Sequence, residues 1–108
     1  MSTVTTHVLD TALGQPAAGV AVRLESATGV VVASGVTDAD GRVRELGPDN
    51  LAAGVYRIWF GTGDYFARDQ RRTFYPEATV TFEVGDGGGH YHVPLTLSPF
   101  AYSTYRGS

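Results

Sequence analysis

Three histidines, His7, His90 and His92, are the side chains of this 108-residue chain best suited to moving protons near neutral pH. An imidazole has a reference pKa of about 6.5, so it can both accept and return a proton there. All eight basic residues are arginine and there is no cysteine, which excludes lysine bases, lysine Schiff bases and thiol chemistry. The other candidates are carboxylates, tyrosines, serines and threonines.

Two of these histidines lie in HYHVPLTL (90–97), a segment that alternates as a β-strand does. One side of the segment is mixed and consists of His90, His92, Pro94 and Thr96. The other side is apolar and consists of Tyr91, Val93, Leu95 and Leu97. Because the apolar side is expected to face the core, we expect both imidazoles on the outward face. Their presence on that face suggests a functional role.

Two further segments are predicted to contribute to the same outward face. A hairpin at Ser98-Pro99 would pair the last two strands and allow His92 and Tyr105 to share it. In VTTHVLD (4–10), Val4, Thr6 and Val8 fit an inward face, which leaves His7 and Leu9 outward. This surface is too apolar to face solvent and too polar for a core. It therefore predicts an oligomer interface that contains a polar pocket.

Short strands and frequent turns predict an all-β sandwich, formed by one domain over residues 1–108. The turn signals include DADGR (38–42) and GDGGG (85–89). We expect VVVASGVT (30–37) to be a strand buried on both faces, because it is apolar and β-branched. The one helical candidate is TGDYFARDQ (62–70), with Thr62 as its N-terminal cap.

Composition limits the classes of binding partner and the cellular compartments that are expected for this chain. A net charge of −3 does not predict binding to nucleic acid. No apolar run approaches the roughly 18 residues that would span a bilayer, so no membrane partner is expected. The start MSTVTTHVLD has neither a basic region nor an apolar signal core, and the absence of cysteine favours a reducing compartment. We therefore predict a cytoplasmic protein.

Four motifs together resemble a known family: HVLDTALGQPAAGV, TDADGR, FYPE and HYHVPLTLSPFAYSTYRGS. They look like the 5-hydroxyisourate hydrolases, the transthyretin-related enzymes of urate breakdown. The terminal Tyr-Arg-Gly-Ser is the most specific part, because the hormone carrier transthyretin lacks it. The resemblance implies a transthyretin-like β-sandwich of two four-stranded sheets with one short helix. It also implies a homotetramer, a dimer of dimers with the sites in a central channel.

The resemblance further implies a site and a reaction. The residues carried over are His7, Arg42, His92 and the tail from Tyr105 to Ser108, whereas His90 matches no catalytic position. The implied reaction opens the cyclic amide of 5-hydroxyisourate to 2-oxo-4-hydroxy-4-carboxy-5-ureidoimidazoline, with no cofactor. His7 or His92 would be the base that activates water, and Arg42 would bind the substrate and the oxyanion. Tyr105 and Ser108 would position substrate or water.

Three other readings of the sequence stay open at this point. A transthyretin-like carrier would bind small aromatic ligands without reacting, but it would not need the set His7, Arg42, His92 and Tyr105. A structural module of a secreted protein is disfavoured by the lack of a signal, linkers and cysteines. A zinc hydrolase would use the His-x-His spacing, yet no acidic or cysteine cluster joins it, so we assign no metal ligand.

Overall fold

Two β-sheets pack face to face in the computed structural model, which describes residues 2–108. In chain order the elements are β1 (Ser2–Asp10), β2 (Gln15–Pro16), β3 (Ala21–Ser26), β4 (Val31–Val36), β5 (Arg42–Val43), β6 (Gly54–Phe60), α1 (Thr62–Ala67), β7 (Ala78–Val84), β8 (Gly89–Ser98) and β9 (Ala101–Thr104). One sheet has the order β2-β1-β8-β9, with β5 also paired to β1, and the other has the order β4-β3-β6-β7. The predicted sandwich of two sheets and one short helix is confirmed. The first sheet has five members because the two-residue β2 joins the end of β1.

The core lies between the sheets and is built from alternate residues of their strands. Its largest fully buried side chains include Phe60, Phe66, Leu24, Leu46, Ile58, Leu95 and Leu97. The predicted inward set of β1 is confirmed, since Val4, Thr6 and Val8 are all buried. The Thr6 hydroxyl is satisfied there because it donates a hydrogen bond of 2.6 Å to the Val93 carbonyl of β8.

The segment that we expected to be buried on both faces is an exposed edge strand. Strand β4 pairs on one side only, with β3, and Val31 and Val36 are 52% and 63% exposed. An apolar, β-branched run fits the centre of a sheet or its edge equally well, and only the pairing order decides between them. The strand prediction for 30–37 is therefore confirmed, whereas the burial prediction is wrong.

The helix is shorter than predicted and begins differently. Helix α1 ends at Ala67, whereas the sequence predicted a helix over 62–70. Its N-terminal cap is Gly61, which makes no side-chain capping hydrogen bond. Thr62 is not the cap because its hydroxyl donates instead to the Tyr75 carbonyl, at 2.7 Å, in the loop that leads to β7. Among residues 2–108, no helix is long and apolar enough to cross a membrane.

A buried carboxylate ties α1 and the loop after it to the end of β1. Asp10 is fully buried and accepts hydrogen bonds of 2.7 Å from both Tyr65 and Arg71, and one of 3.0 Å from the Leu13 amide. Burial by itself raises the pKa of Asp10, but these hydrogen bonds outweigh it and hold that pKa below its usual value. Burial, and then the hydrogen bond to Asp10, raises the pKa of Tyr65 to about 12. The carboxylate is therefore ionised at neutral pH beside a neutral phenol and a cation.

Replacing this carboxylate should destabilise the fold. We expect Asp10→Ala to lower the free energy of unfolding by about 3–5 kcal/mol at pH 7, because it removes the main partner of a largely buried guanidinium. The folded-state pKa of Asp10 is depressed, so its stabilisation is complete above the unfolded-state pKa of about 3.9 and is lost as the pH falls through the folded value. Urea titrations followed by circular dichroism at pH 7 and pH 3 measure both effects.

Asp69→Ala is the matched control, because Asp69 is an exposed carboxylate 3.3 Å from the same Arg71 guanidinium. Its loss should cost less than about 1 kcal/mol. Equal destabilisation by the two variants at pH 7 would contradict the role given to Asp10.

Candidate active site

The parallel pairing of β1 with β8 brings the start and the end of the chain side by side. In this register Thr5 lies opposite His92 and His7 lies opposite Pro94. On the other side of β1, the two-residue β5 places Arg42 opposite His7. Residues opposite one another in neighbouring strands share a face of the sheet. His7, Arg42 and His92 therefore lie on one face, and it is the face opposite the core.

A polar cleft of about 250 Å³ opens on this outward face. It is lined by Thr5, Thr6, Arg42, Val43, Arg44, His90, His92 and Ser108. The cleft thus joins three of the expected residues, Arg42, His92 and Ser108. His7 is half-buried beside it, next to Arg42 in the register, and is not part of the lining.

The tail reaches the cleft through a hairpin. Strands β8 and β9 pair antiparallel up to Leu95 and Thr104, around a two-residue turn, which confirms the predicted hairpin at Ser98-Pro99. The alternation that the sequence predicted past 104 does not continue, because regular pairing stops there. It resumes only at a single bridge, where the Gly107 amide donates to the His92 carbonyl at 2.9 Å. This bridge leads Ser108 into the cleft.

Tyr105 contacts a different space. Its side chain is 58% exposed and lines a second cavity, of about 300 Å³, together with Tyr91, Arg106 and residues of β7. His92 lines both cavities and therefore stands between Tyr105 and Arg42. The structure brings Tyr105 close to His92 but does not place it in the lining that Arg42 and Ser108 share.

The environment of His92 keeps this imidazole neutral. The ring is half-buried, its Nδ1 lies 2.7 Å from the Thr5 hydroxyl, and it stacks on His90 with ring centroids 6.3 Å apart. Burial lowers the pKa of His92, and the charge of Arg42 and the neighbouring His90 and His7 rings lower it further. An uncharged imidazole in a cleft can accept a proton at neutral pH.

Sequence reasoning gave no individual role to Thr5 or Gly107, although both contact His92. A Cβ built on Gly107 would overlap His92 Cδ2 and lie 3.1 Å from its Cγ, so only glycine lets the tail lie against the ring. Thr5 shares the outward side of its strand with His7, which the alternation indicates. That it lies opposite His92 depends on the register of two strands more than eighty residues apart in the chain.

The described part of the chain, residues 2–108, contains no group of three His, Cys, Asp or Glu side chains arranged to hold a metal ion. The His90 and His92 rings lie parallel, with an angle of 10° between their planes. Each ring also has a threonine hydroxyl at hydrogen-bond distance from its Nδ1. These nitrogens are engaged within the sheet.

The fold and the cleft together define a transthyretin-like β-sandwich with a polar site on one outward face. The model of the HIUase/Transthyretin family matches residues 4–107, and the chain belongs to this family. The resemblance seen in the sequence motifs is thereby confirmed.

Several relatives in this family are close to the chain over most of its length. The 5-hydroxyisourate hydrolase of Deinococcus radiodurans is 47% identical, over 96% of this chain and 94% of the relative. That of Caulobacter vibrioides is 44% identical over the full length of both. Among solved structures, the 5-hydroxyisourate hydrolase of Klebsiella pneumoniae superposes with a TM-score of 0.92 at 41% identity, covering 99% and 100% of the two chains. Transthyretin from Sparus aurata superposes with a TM-score of 0.89 at 35% identity, covering 99% and 97%.

The electrostatic arrangement of the cleft predicts a titration result. In Arg42→Gln the positive charge beside the imidazole is gone, so protonation of the ring becomes easier and the pKa of His92 should rise toward its usual value. The measurement is an NMR titration of the three histidine rings. Arg44→Gln is the matched control, because Arg44 lines the same cleft but is exposed and pairs with Asp38 and Asp40. A larger shift in the Arg44 variant than in the Arg42 variant would refute this account.

Proposed function

We propose that this chain is a 5-hydroxyisourate hydrolase of urate catabolism. It adds water to the cyclic amide of 5-hydroxyisourate and opens the ring to 2-oxo-4-hydroxy-4-carboxy-5-ureidoimidazoline. The observation that carries the proposal is the joint placement of a neutral His92 and Arg42 in one polar cleft. The names of the similar proteins support the choice of substrate.

His92 acts as the general base. Water is a poor nucleophile, and it must lose a proton as it attacks the ring carbonyl. His92 lines the cleft and has a lowered pKa, so its neutral form is available at pH 7. General-base catalysis of this kind typically contributes 10²–10⁴-fold to the rate. His7 is the second candidate for the base, and its position beside the cleft makes His92 the better placed of the two.

Arg42 binds the substrate and stabilises the negative charge that develops on the carbonyl oxygen. Its guanidinium is permanently charged and planar, so it can hold a carbonyl and a ring-nitrogen edge through paired hydrogen bonds. The turn before β5 anchors the residue, because the Arg42 amide donates a hydrogen bond of 3.0 Å to the Asp38 carboxylate. Ser108 in the cleft, and Tyr105 in the adjoining cavity, position water or substrate.

The active form is a homotetramer, a dimer of dimers in which neighbouring subunits complete the sites. Large apolar side chains lie exposed near the turn between β8 and β9, with Phe74 72% and Phe100 65% exposed. The Phe74 amide donates to the Pro99 carbonyl, so the loop that carries Phe74 is attached to this turn. Exposed aromatic side chains of this size favour association.

The cytoplasmic location of the protein stays a prediction.

The base assignment predicts the activity of one variant. We expect His92→Asn to reduce turnover by about 10²–10⁴-fold while the circular dichroism spectrum stays unchanged. The substrate is generated in situ from urate with urate oxidase, and its decay is followed by absorbance with and without the protein.

In the unaltered protein kcat/KM should fall only below about pH 6.5, because the depressed pKa of His92 keeps the base neutral above that value.

The control is Arg57→Gln, on the opposite sheet, which should keep full turnover. A His92→Asn variant that hydrolyses the substrate as fast as the control would remove His92 from the mechanism. If the unaltered protein does not accelerate the decay at all, the function is wrong and a non-reacting carrier takes its place.

Deleting Tyr105–Ser108 should abolish hydrolase activity and leave a folded β-sandwich. These residues lie beyond the last strand, β9, and they are largely exposed, so the core does not need them. The same residues carry the Gly107–His92 bridge and the Ser108 wall of the cleft. Turnover and circular dichroism of the truncated chain are the two readouts, and a folded, fully active truncation would disprove the role of the tail.

A further inference from the structure

A line of four side chains crosses the β1–β8 pair beside the cleft. The register sets Thr3 opposite His90 and Thr5 opposite His92. The Thr3 hydroxyl lies 2.8 Å from His90 Nδ1, and the Thr5 hydroxyl lies 3.2 Å from His90 Nε2 and 2.7 Å from His92 Nδ1. Thr5 therefore connects the two imidazoles, and the order of the line is Thr3, His90, Thr5, His92.

The Thr5 hydroxyl has one proton, so it can donate to only one of the two rings, and each choice of ring gives the line one direction. In the first direction, His92 Nδ1–H donates to Thr5, Thr5 donates to His90 Nε2, and His90 Nδ1–H donates to Thr3. In the second direction every bond is reversed. The first leaves His92 Nε2 without a proton, so that it can act as a base. The second places the proton on Nε2, where the neutral ring cannot accept another.

The surroundings of the ring favour the first direction. The His92 nitrogen that faces the Thr5 hydroxyl is Nδ1, so Nε2 is the ring nitrogen that this hydroxyl does not engage. Titratable or charged groups near His92 come from His7 on β1, Arg42 on β5, Arg44 just after β5, His90 on β8, and Tyr105 and Arg106 in the tail. Arg42 and Arg44 both carry a permanent charge and line the cleft with His92, and Arg44 pairs with Asp38 and Asp40. The Arg42 cation therefore favours a lone pair over an N–H on the free nitrogen of His92.

We propose that Thr5 is a positioning residue that holds His92 in the Nδ1–H tautomer and thereby keeps His92 Nε2 free to accept the proton of the attacking water. His90 and Thr3 extend the same line and fix the direction of the Thr5 hydroxyl. The benefit for turnover rests on the proposed hydrolase function, whereas the tautomer is a property of the folded protein alone. A base held in the wrong tautomer is a known source of large losses of turnover when the orienting partner is changed.

The test combines NMR with kinetics. Long-range ¹H–¹⁵N correlation spectra of the ¹⁵N-labelled protein, recorded above the pKa of His92, assign the tautomer of each histidine. We expect His92 in the Nδ1–H form. In Thr5→Val, which keeps the β-branched shape but lacks the hydroxyl, we expect the Nε2–H form to gain population and kcat to fall at least about tenfold. Thr5→Ser should restore both the tautomer and the turnover.

Thr79→Val is the matched control, because it makes the same change on the exposed side of β7 in the other sheet. It should alter neither the spectrum nor kcat. An Nε2–H form of His92 in the unaltered protein overturns the proposal even if a variant fails to fold. So does a Thr5→Val protein that keeps the wild-type tautomer, or one that changes tautomer without losing turnover. Absence of turnover in the unaltered protein with the expected tautomer would instead refute the hydrolase function, which separates the two failures.

Discussion

The register of β1 against β8 is the constraint on which the rest of the site depends. These strands come from opposite ends of the chain and pair in parallel over the whole length of β1. A slip of one residue would turn every side chain of β1 to the other face and remove His7 from the site. The register is held by Val4 and Val8 in the core and by the hydrogen bond from Thr6 to the Val93 carbonyl. Asp10 fixes the end of the same strand to α1 and the loop after it.

A site built on paired strands gains precision that a loop does not provide. The two faces of β1 and β8 have different roles, since the inward residues pack in the core and the outward residues carry polar groups. The tail is attached to this rigid part through one main-chain hydrogen bond, from Gly107 to His92. Because Gly107 has no side chain, the tail approaches the imidazole closely enough to place Ser108 in the cleft.

Alternation of residue types predicted what each strand presents to the core, but it could not predict which strands are neighbours. The outward position of His92 follows from the apolar side of its own strand, and a local pattern is enough for that. The exposure of VVVASGVT depends on its place at the edge of a sheet, and the pairing of Thr5 with His92 depends on contacts between distant parts of the chain. Tyr105 could not be placed by alternation because regular strand geometry ends at Thr104.

Arg42 has two opposed effects on the chemistry proposed for His92. Its charge lowers the pKa of the imidazole, which makes the neutral base fully available at pH 7 but also weaker. When the base takes a proton from water, the new imidazolium is repelled by Arg42, while the new oxyanion on the substrate is attracted to it. The attraction offsets the repulsion only if the oxyanion forms next to the guanidinium. Arg42 and His92 line the same space, so under the proposed function a substrate held in the cleft would be within reach of both residues. The electrostatic effects of Arg42 and His92 on the proposed reaction are therefore coupled, and the effect of replacing one residue depends on whether the other is present.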